Sequence, residues 1–184
     1  MKTRPPRIVV RQAHDGDLDA VVAMRSALLE ASRVNPAYRR LRRDFRDIVR
    51  PLFAAQLADE RCLTLIATAG TQAVGVLRCT LSGNNPLYEP PRHAYVLSVY
   101  VLPPYRKRGV LTALLRHADV WCNAHGAEEM RLHCGIENRT GNAAWRALGF
   151  EAAEVLRVRR VPRRRPGRSA SPGRLTAPVA RDTA

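Results

Sequence analysis

Residues 94–125 restrict the fold of this chain more than any other stretch. The stretch begins with a nearly continuous run of apolar and β-branched residues, which is typical of a strand covered on both faces. Pro103 and Pro104 follow, then a basic segment that ends at Gly109, and then an amphipathic helix that Gly126 can end. This order places the N-terminus of a helix close to the end of a buried strand. We therefore expect an anion-binding site at this point of the fold.

The basic segment has the composition of a phosphate-binding loop. Arg106, Lys107 and Arg108 precede Gly109 directly. Consecutive backbone N–H groups at a helix start bind anions, glycine lets the backbone approach them closely, and basic side chains add charge-assisted hydrogen bonds. A basic segment alone is also typical of a solvated turn, but the strand and the two prolines ahead of it favour binding. The predicted ligand carries a pyrophosphate and a further phosphate.

The rest of the chain predicts a mixed α/β domain around one sheet. Strands are predicted at residues 8–11, 62–68, 73–81, 93–102, 130–136 and 150–161, and helices at 18–32, 39–58, 110–125 and 142–148. The second helix is rich in arginine, which is typical of a solvated face and also compatible with contact to an anionic ligand. The loop over residues 82–92 is of a size that can line a site.

Charge and composition divide the chain into a domain over residues 1–161 and a tail over 162–184. The formal net charge is +15, and residues 157–184 contain nine arginines but only one acidic residue, Asp182. The tail has many Pro, Gly and Arg and no aromatic residue, so we expect it to be disordered. Because the tail has no aromatic side chains to stack on bases, we expect any nucleic-acid binding by it to be nonspecific and salt-sensitive.

The sequence also indicates a compartment. No N-terminal apolar run has signal-peptide length, and no apolar run is long enough to span a membrane. The four cysteines are widely separated, which does not fit the spacing of a zinc or redox motif. We expect reduced core thiols, no metal and a cytoplasmic location.

Two motifs carry a resemblance to a known family. The acetyl-CoA-binding motif of the GNAT superfamily of N-acetyltransferases is similar to the segment LSVYVLPPYRKRGVLTALL, in which Arg106, Gly109 and Leu111 occupy the marked positions. Further on, Asn138, Trp145 and the Leu-Gly-Phe of residues 148–150 resemble the family's closing motif. Both motifs stand in the family's order, and the resemblance covers roughly residues 8–161.

The resemblance implies a GNAT-like single domain with a central, mostly antiparallel sheet that is splayed at its middle strands and flanked by helices. It implies direct transfer of an acetyl group from acetyl-CoA to an amine, with the backbone N–H of Val99 stabilising the oxyanion. The residues that it places at the cosubstrate are Val99, Tyr100, Val101, Arg106, Lys107, Arg108, Gly109, Val110, Leu111, Thr112, Asn138 and Trp145.

The sequence departs from the family's pattern at two positions. Leu111 stands where a small residue is usual. Trp145 replaces a tyrosine that protonates the departing thiolate in many relatives, and an indole N–H cannot serve as that acid. Water or another group would then protonate the thiolate, or it would be stabilised without immediate protonation.

A general base is harder to assign than the cosubstrate site. His133, on the strand that leads to Asn138, is the first candidate. The other candidates are His93, Glu89 and Glu137, with Ser98 and Tyr100 able to hold a water. Cys134 could indicate an acyl-cysteine route, but a buried thiol is the simpler interpretation.

Two other functions remain open at this point. The chain could bind CoA with little or no catalysis, because Trp145 removes a common catalytic group, or it could bind nucleic acid nonspecifically through its basic tail. Neither the acceptor amine nor the oligomeric state can be read from the sequence, although homodimers are frequent among similar proteins.

Overall fold

A computed structural model describes residues 7–161 of the chain. Contacts divide the chain into two units, with a boundary between Glu154 and Val155. The first unit contains every helix and strand of the described range, whereas residues 155–161 have no regular secondary structure. The predicted disordered tail, residues 162–184, lies outside the described residues.

The first unit is a five-stranded sheet with helices on both faces, and the sheet order is β1-β2-β3-β4-β5. Neighbouring strands are antiparallel except for β4 and β5, which are parallel. This confirms the predicted mixed α/β class and the mostly antiparallel sheet. In chain order the elements are β1 (Ile8–Gln12), α1 (Leu18–Ala31), α2 (Phe45–Leu57), β2 (Cys62–Ala69), β3 (Gln72–Gly83), β4 (Arg92–Val101), α3 (Val110–Ala124), β5 (Met130–Leu132) and α4 (Arg139–Ala147).

Alternating side chains of the central strands build two separate cores, one on each face of the sheet. Leu77 of β3 packs in a cluster with Leu114 of α3. Val76, one residue earlier, packs on the other face with Val21 of α1 and Phe53 of α2. The sheet therefore separates α3 from α1 and α2, and a gap between strands would connect the two faces.

Such a gap opens between β4 and β5. The parallel pairing begins at Ala94 with Met130 and ends at Val96 with Leu132. Leu97 is an extra residue in β4, because the partners of Arg78 and Cys79 on β3 are Ser98 and Val96. From Ser98 onward β4 pairs with β3 alone among residues 7–161, as the predicted splay of the middle strands requires.

Two predicted boundaries differ from the observed ones for identifiable reasons. Helix α2 begins at Phe45 rather than at residue 39. Arginines at positions 39, 40, 42 and 43 would repel one another at helical spacing, and Arg42 instead forms an ion pair with Asp44 ahead of the helix. Strand β5 ends at Leu132 rather than at residue 136, because β4 has separated from it at that point.

The prediction of a last strand over residues 150–161 is wrong. These residues have no strand partner within the described part of the chain. Val155, Leu156, Val158 and Val161 are all exposed, so their apolar pattern does not reflect burial against a sheet. A strand without a partner leaves its backbone groups unpaired, and apolar content alone does not offset that cost.

Candidate active site

The loop between β4 and α3 holds an unusual backbone conformation. Pro103–Tyr105 form one turn of 3-10 helix that reverses the chain after β4. Lys107 has a φ of 58° and Gly109 a φ of 77°, so two left-handed residues flank Arg108. Left-handed backbone is costly for a residue with a Cβ, and Lys107 is the one non-glycine residue with positive φ in the described range. Alternation of this kind turns successive N–H groups toward one point and forms an anion-binding nest.

The amides of this loop are available to a ligand. No backbone N–H of residues 107–112 donates a hydrogen bond to another described residue, and the first bond of α3 runs from the Ala113 N–H to the Gly109 carbonyl, at 2.9 Å. Gly109 caps the helix, and a Cβ placed on it would meet no heavy atom within 4 Å. The donors are therefore open to a pyrophosphate at the positive end of the helix dipole.

The first turn of α3 contributes mainly through its backbone. Val110 is fully buried against Gly75, and Leu111 packs partly buried on the same core. Thr112 lines a cleft of about 770 Å³ between α3 and the chain that follows α4. The bulk of Leu111 thus lies partly in the core, and its amide remains among the unpaired donors.

The basic side chains of the loop do not act alike. The Arg106 Nε donates a 2.9 Å hydrogen bond to the Val101 carbonyl, and its guanidinium lies 5.5 Å from the ring centre of Tyr100. Arg106 thus fixes the end of β4. Lys107 and Arg108 are exposed, and Arg108 lies over the Tyr105 ring at 5.7 Å. Their charges are free to reach a phosphate in solvent.

The backbone of Val99 and Val101 points into the gap. The Leu102 N–H donates a 2.9 Å hydrogen bond to the Val74 carbonyl on the β3 side. Because backbone groups alternate sides along a strand, those of Val99 and Val101 point the opposite way, where β5 has ended. The Val101 carbonyl is taken by Arg106. The N–H groups of Val99 and Val101 and the Val99 carbonyl are thus aimed into the gap.

A tyrosine–histidine pair spans the point where β4 and β5 separate. The Tyr95 hydroxyl and the His133 Nδ1 are 2.6 Å apart. Met130 and Leu132 pack on the α3 side. Because successive side chains of an extended chain point to opposite faces, His133 lies on the face of α1 and α2. His133 follows directly after the last paired residue of β5. The gap is therefore bordered by the amide nest on one face and by an imidazole on the other.

The other base candidates are less suitably placed. His93 is buried, and its Nδ1 has no hydrogen-bond partner among residues 7–161. Burial lowers the pKa of His93, and the nearby Arg131 adds to the effect. Glu137 accepts a long 3.4 Å hydrogen bond from Asn35, and Glu89 lies in the loop between β3 and β4.

Residues of the second predicted motif have clear structural roles. The Asn138 Oδ1 accepts the Gly141 N–H at 2.9 Å and so caps α4. Trp145 packs edge-to-face on Phe150, with ring centres 5.1 Å apart. Burial raises the pKa of Cys134, while hydrogen bonds to Trp145 and Asn138 oppose the shift in part. The motif therefore positions the start of α4 beside the end of β5.

The cysteines behave as core thiols. Cys62, Cys79 and Cys122 are buried and none of the four is in a disulfide. Burial raises the pKa of Cys79 to about 12 and that of Cys122 to about 11, so neither is a thiolate near neutrality. Between residues 7 and 161, no helix has both the length and the apolarity to cross a membrane.

Sequence reasoning missed three residues on the face of α1 and α2. Tyr95 was not recognised as the partner of His133. Arg25 of α1 and Arg78 of β3 both donate to the Ser98 hydroxyl, at 3.1 and 3.4 Å. One signal was available, since Arg78 interrupts an apolar strand and Arg25 lies within an apolar helix face.

The chain belongs to the Acetyltransferase (GNAT) family, whose sequence profile it matches over residues 27–150. Family membership confirms the recognition made from the two motifs. It makes the protein an acyltransferase of the N-acetyltransferase class, with acetyl-CoA as the acetyl donor.

Similar proteins are found by sequence and by structure. An aminoglycoside N(6')-acetyltransferase type 1 of Acinetobacter haemolyticus is 31% identical over 105 residues, which cover 54% of this chain and 70% of that protein. Aminoglycoside N-acetyltransferase AAC(6')-Iy in complex with CoA superposes with a TM-score of 0.71 at 22% identity, over 87% of this chain and 98% of the other. An acetyltransferase of Clostridium acetobutylicum with acetyl-CoA gives a TM-score of 0.69 at 19% identity, over 83% and 96% of the chains. At these identities the structural matches establish the fold.

Proposed function

We propose that this enzyme transfers an acetyl group from acetyl-CoA to a primary amine by direct attack, with His133 as the general base. The observation that carries the proposal is the gap between β4 and β5. The unpaired amides of residues 107–112 lie on one side of it, and the Tyr95–His133 pair lies on the other. A thioester that enters from α3 then meets an amine that enters from the opposite face.

The Tyr95 contact is compatible with the His133 tautomer that a general base requires. If the His133 Nδ1 carries the proton and donates it to the Tyr95 oxygen, Nε2 is left as a proton acceptor. Nε2 then takes a proton from the amine as its nitrogen bonds to the acetyl carbon and the carbon–sulfur bond breaks. Tyr95 is a positioning residue in this step, because it acts through the imidazole.

Charge that develops on the thioester oxygen needs a fixed donor. The Val99 N–H points into the gap and has no strand opposite it in the described residues. We assign it the oxyanion contact, since a preorganised donor stabilises the transition state without reorganisation. The departing thiolate takes its proton from water, because Trp145 has only an indole N–H.

Transfer through an acyl-cysteine is disfavoured by the state of the thiols. Burial raises the pKa of Cys134, which reduces its thiolate form at neutral pH. Cys134→Ala should therefore keep its activity, and the kinetics should require both substrates to bind before product leaves. Ping-pong kinetics would contradict direct transfer.

The proposal is tested by acetyl-CoA turnover with a panel of amines, including aminoglycosides because relatives are named for them. In His133→Gln we expect kcat to fall roughly a hundredfold or more. The acetyl-CoA Kd should stay unchanged.

His117→Gln is the matched control, because His117 is an exposed histidine on α3. Equal losses in both variants would exclude His133 as the base. Tight acetyl-CoA binding without transfer to any amine would favour the alternative of a CoA-binding protein with little catalysis.

Two further expectations belong to the proposal. The free cysteines support a reducing compartment, and we propose the cytoplasm. We also propose a homodimer, which light scattering after size-exclusion chromatography would test. Nucleic-acid retention through residues 162–184 would be tested by deletion of the tail, which should leave acetyl-CoA binding intact.

A further inference from the structure

Two arginines converge on one hydroxyl on the face of α1 and α2. The Arg25 Nη1 lies 3.1 Å from the Ser98 Oγ and 3.4 Å from the Leu97 carbonyl, so it binds β4 at its bulge. The Arg78 Nη1 lies 3.4 Å from the same Oγ. The two cations are therefore neighbours, with Ser98 between them.

Neither arginine has a carboxylate partner within residues 7–161. Arg78 is 4% exposed, its guanidinium packs over the Phe53 ring at 3.6 Å, and Gln56 accepts from its Nη2. The Arg78 Nε is buried without a partner among the described residues. Burial of an unpaired cation beside another cation is costly, and interior arginines are ordinarily paired.

Arg25 is the member of the pair that a ligand can reach. Arg25 is only partly buried, and apart from Nη1 its guanidinium nitrogens make no hydrogen bond with described residues. Ser98 lies one residue before Val99, whose backbone points into the gap. The end of the link between α1 and α2 and the start of α2 add positive charge, since residues 38–50 contain six arginines and two aspartates.

We propose that Arg25, backed by Arg78, binds an anionic group of the acceptor, so that the acceptor is an amine that carries a carboxylate or a phosphate. This inference rests on the proposed transferase function. An anion at Arg25 supplies the missing counter-charge, and Ser98 holds the two guanidinium groups in place. A polycationic acceptor such as an aminoglycoside would be repelled by the same charges.

Matched acceptors test the charge requirement. The panel pairs amino acids with their carboxamides and with the corresponding decarboxylated amines, and adds O-phosphoethanolamine and kanamycin. We expect kcat/KM to be at least tenfold higher for the acids than for their amides. O-phosphoethanolamine separates a general anion site from one specific for carboxylate.

Arg25→Gln tests the residue. We expect the KM of the anionic acceptor to rise roughly tenfold to a hundredfold with little change in kcat, because a charge-assisted bond contributes to acceptor binding. The KM of a neutral amine should stay constant, and Arg25→Lys should recover part of the loss. Arg116→Gln, an exposed arginine on α3, is the control for a general change in charge.

The outcomes distinguish failure of the anionic-acceptor proposal from failure of the proposed transferase function. Equal or better use of kanamycin and diamines would overturn the anionic acceptor and leave the transferase standing. If no amine is acetylated, the proposed function fails, and calorimetry with CoA and N-acetyl amino acids decides the site. If wild type binds the N-acetyl amino acids and Arg25→Gln does not, the anion site is supported. If wild type does not bind them, the anion site is overturned.

Discussion

Replacing Gly109 with alanine tests whether the loop conformation, rather than its charge, binds the cosubstrate. Gly109 has a φ of 77°, and a Cβ there would meet no heavy atom within 4 Å. The substitution therefore adds backbone strain and no clash. Left-handed backbone costs a residue with a Cβ about 1–2 kcal/mol.

That strain has two possible outcomes for the loop. If the backbone stays left-handed, the cost appears only as stability, and Tm falls by about 2–4 °C per kcal/mol in a domain of this size. If the loop relaxes, the amides of residues 107–112 lose their common direction. Loss of one or two charge-assisted bonds then weakens acetyl-CoA binding roughly tenfold to a hundredfold. Because relaxation relieves the strain, we expect the affinity loss to dominate.

Gly126→Ala is the matched control at the other end of α3. Gly126 has a φ of 63°, and a Cβ there also meets nothing within 4 Å. Gly126→Ala should lose stability in thermal unfolding and keep its affinity, whereas Gly109→Ala should show a smaller fall in Tm and a loss of acetyl-CoA affinity by calorimetry. Equal affinities for the two variants, together with an unchanged Tm for Gly109→Ala, would mean that the loop relaxed without affecting binding and would refute the assignment of the nest.

Three other variants test the structure. Asp17→Asn should lower the free energy of unfolding by about 1–2 kcal/mol at pH 7, measured by urea unfolding. Arg11 lowers the pKa of Asp17 to about 2, so the stabilisation by this carboxylate is lost as the pH falls from about 4 to about 2. The difference between the variant and wild type should therefore shrink toward pH 2. In Arg78→Met the free energy of unfolding should stay within about 1 kcal/mol of wild type or rise. The reason is that burial disfavours the Arg78 cation and lowers its pKa to about 10. A loss of stability above about 3 kcal/mol would assign Arg78 a purely structural role. Gly75→Ala should cost about 1–3 kcal/mol, because its Cβ would lie 2.9 Å from Val110.

The stability of Arg78→Met also bears on the acceptor. An arginine retained for the fold should destabilise the protein when it is replaced. An arginine retained for a substrate should leave stability intact while acceptor binding weakens. Thermal unfolding and acceptor KM, measured on the same preparation, separate these two cases.

Much of the cosubstrate site could be predicted because its parts are contiguous. Residues 106–112 lie in one loop, and glycine, basic residues and a helix start identify it without reference to the rest of the chain. The sequence did not reveal that Lys107 is left-handed or that Arg106 binds the Val101 carbonyl. Both depend on how the loop returns to the end of β4.

Element ends were predicted less well than elements. The sequence located α2 but placed its start six residues too early, and it extended β5 past its last paired residue. Periodicity identifies an apolar face, whereas an end depends on local charge and on the neighbouring strand. The predicted strand over residues 150–161 failed for the same reason, since a strand exists only with a partner.

By itself the sequence determined the family, the order of elements and the phosphate loop, because these follow from local pattern and contiguous motifs. Only the tertiary structure determined which side chains come together on the sheet face opposite α3. Tyr95 and His133 are 38 residues apart, and Arg25 and Ser98 are 73 apart. Strand register, and one extra residue at Leu97, bring these side chains together beside the gap. No local signal encodes such pairs, because register is set by the packing of the whole sheet.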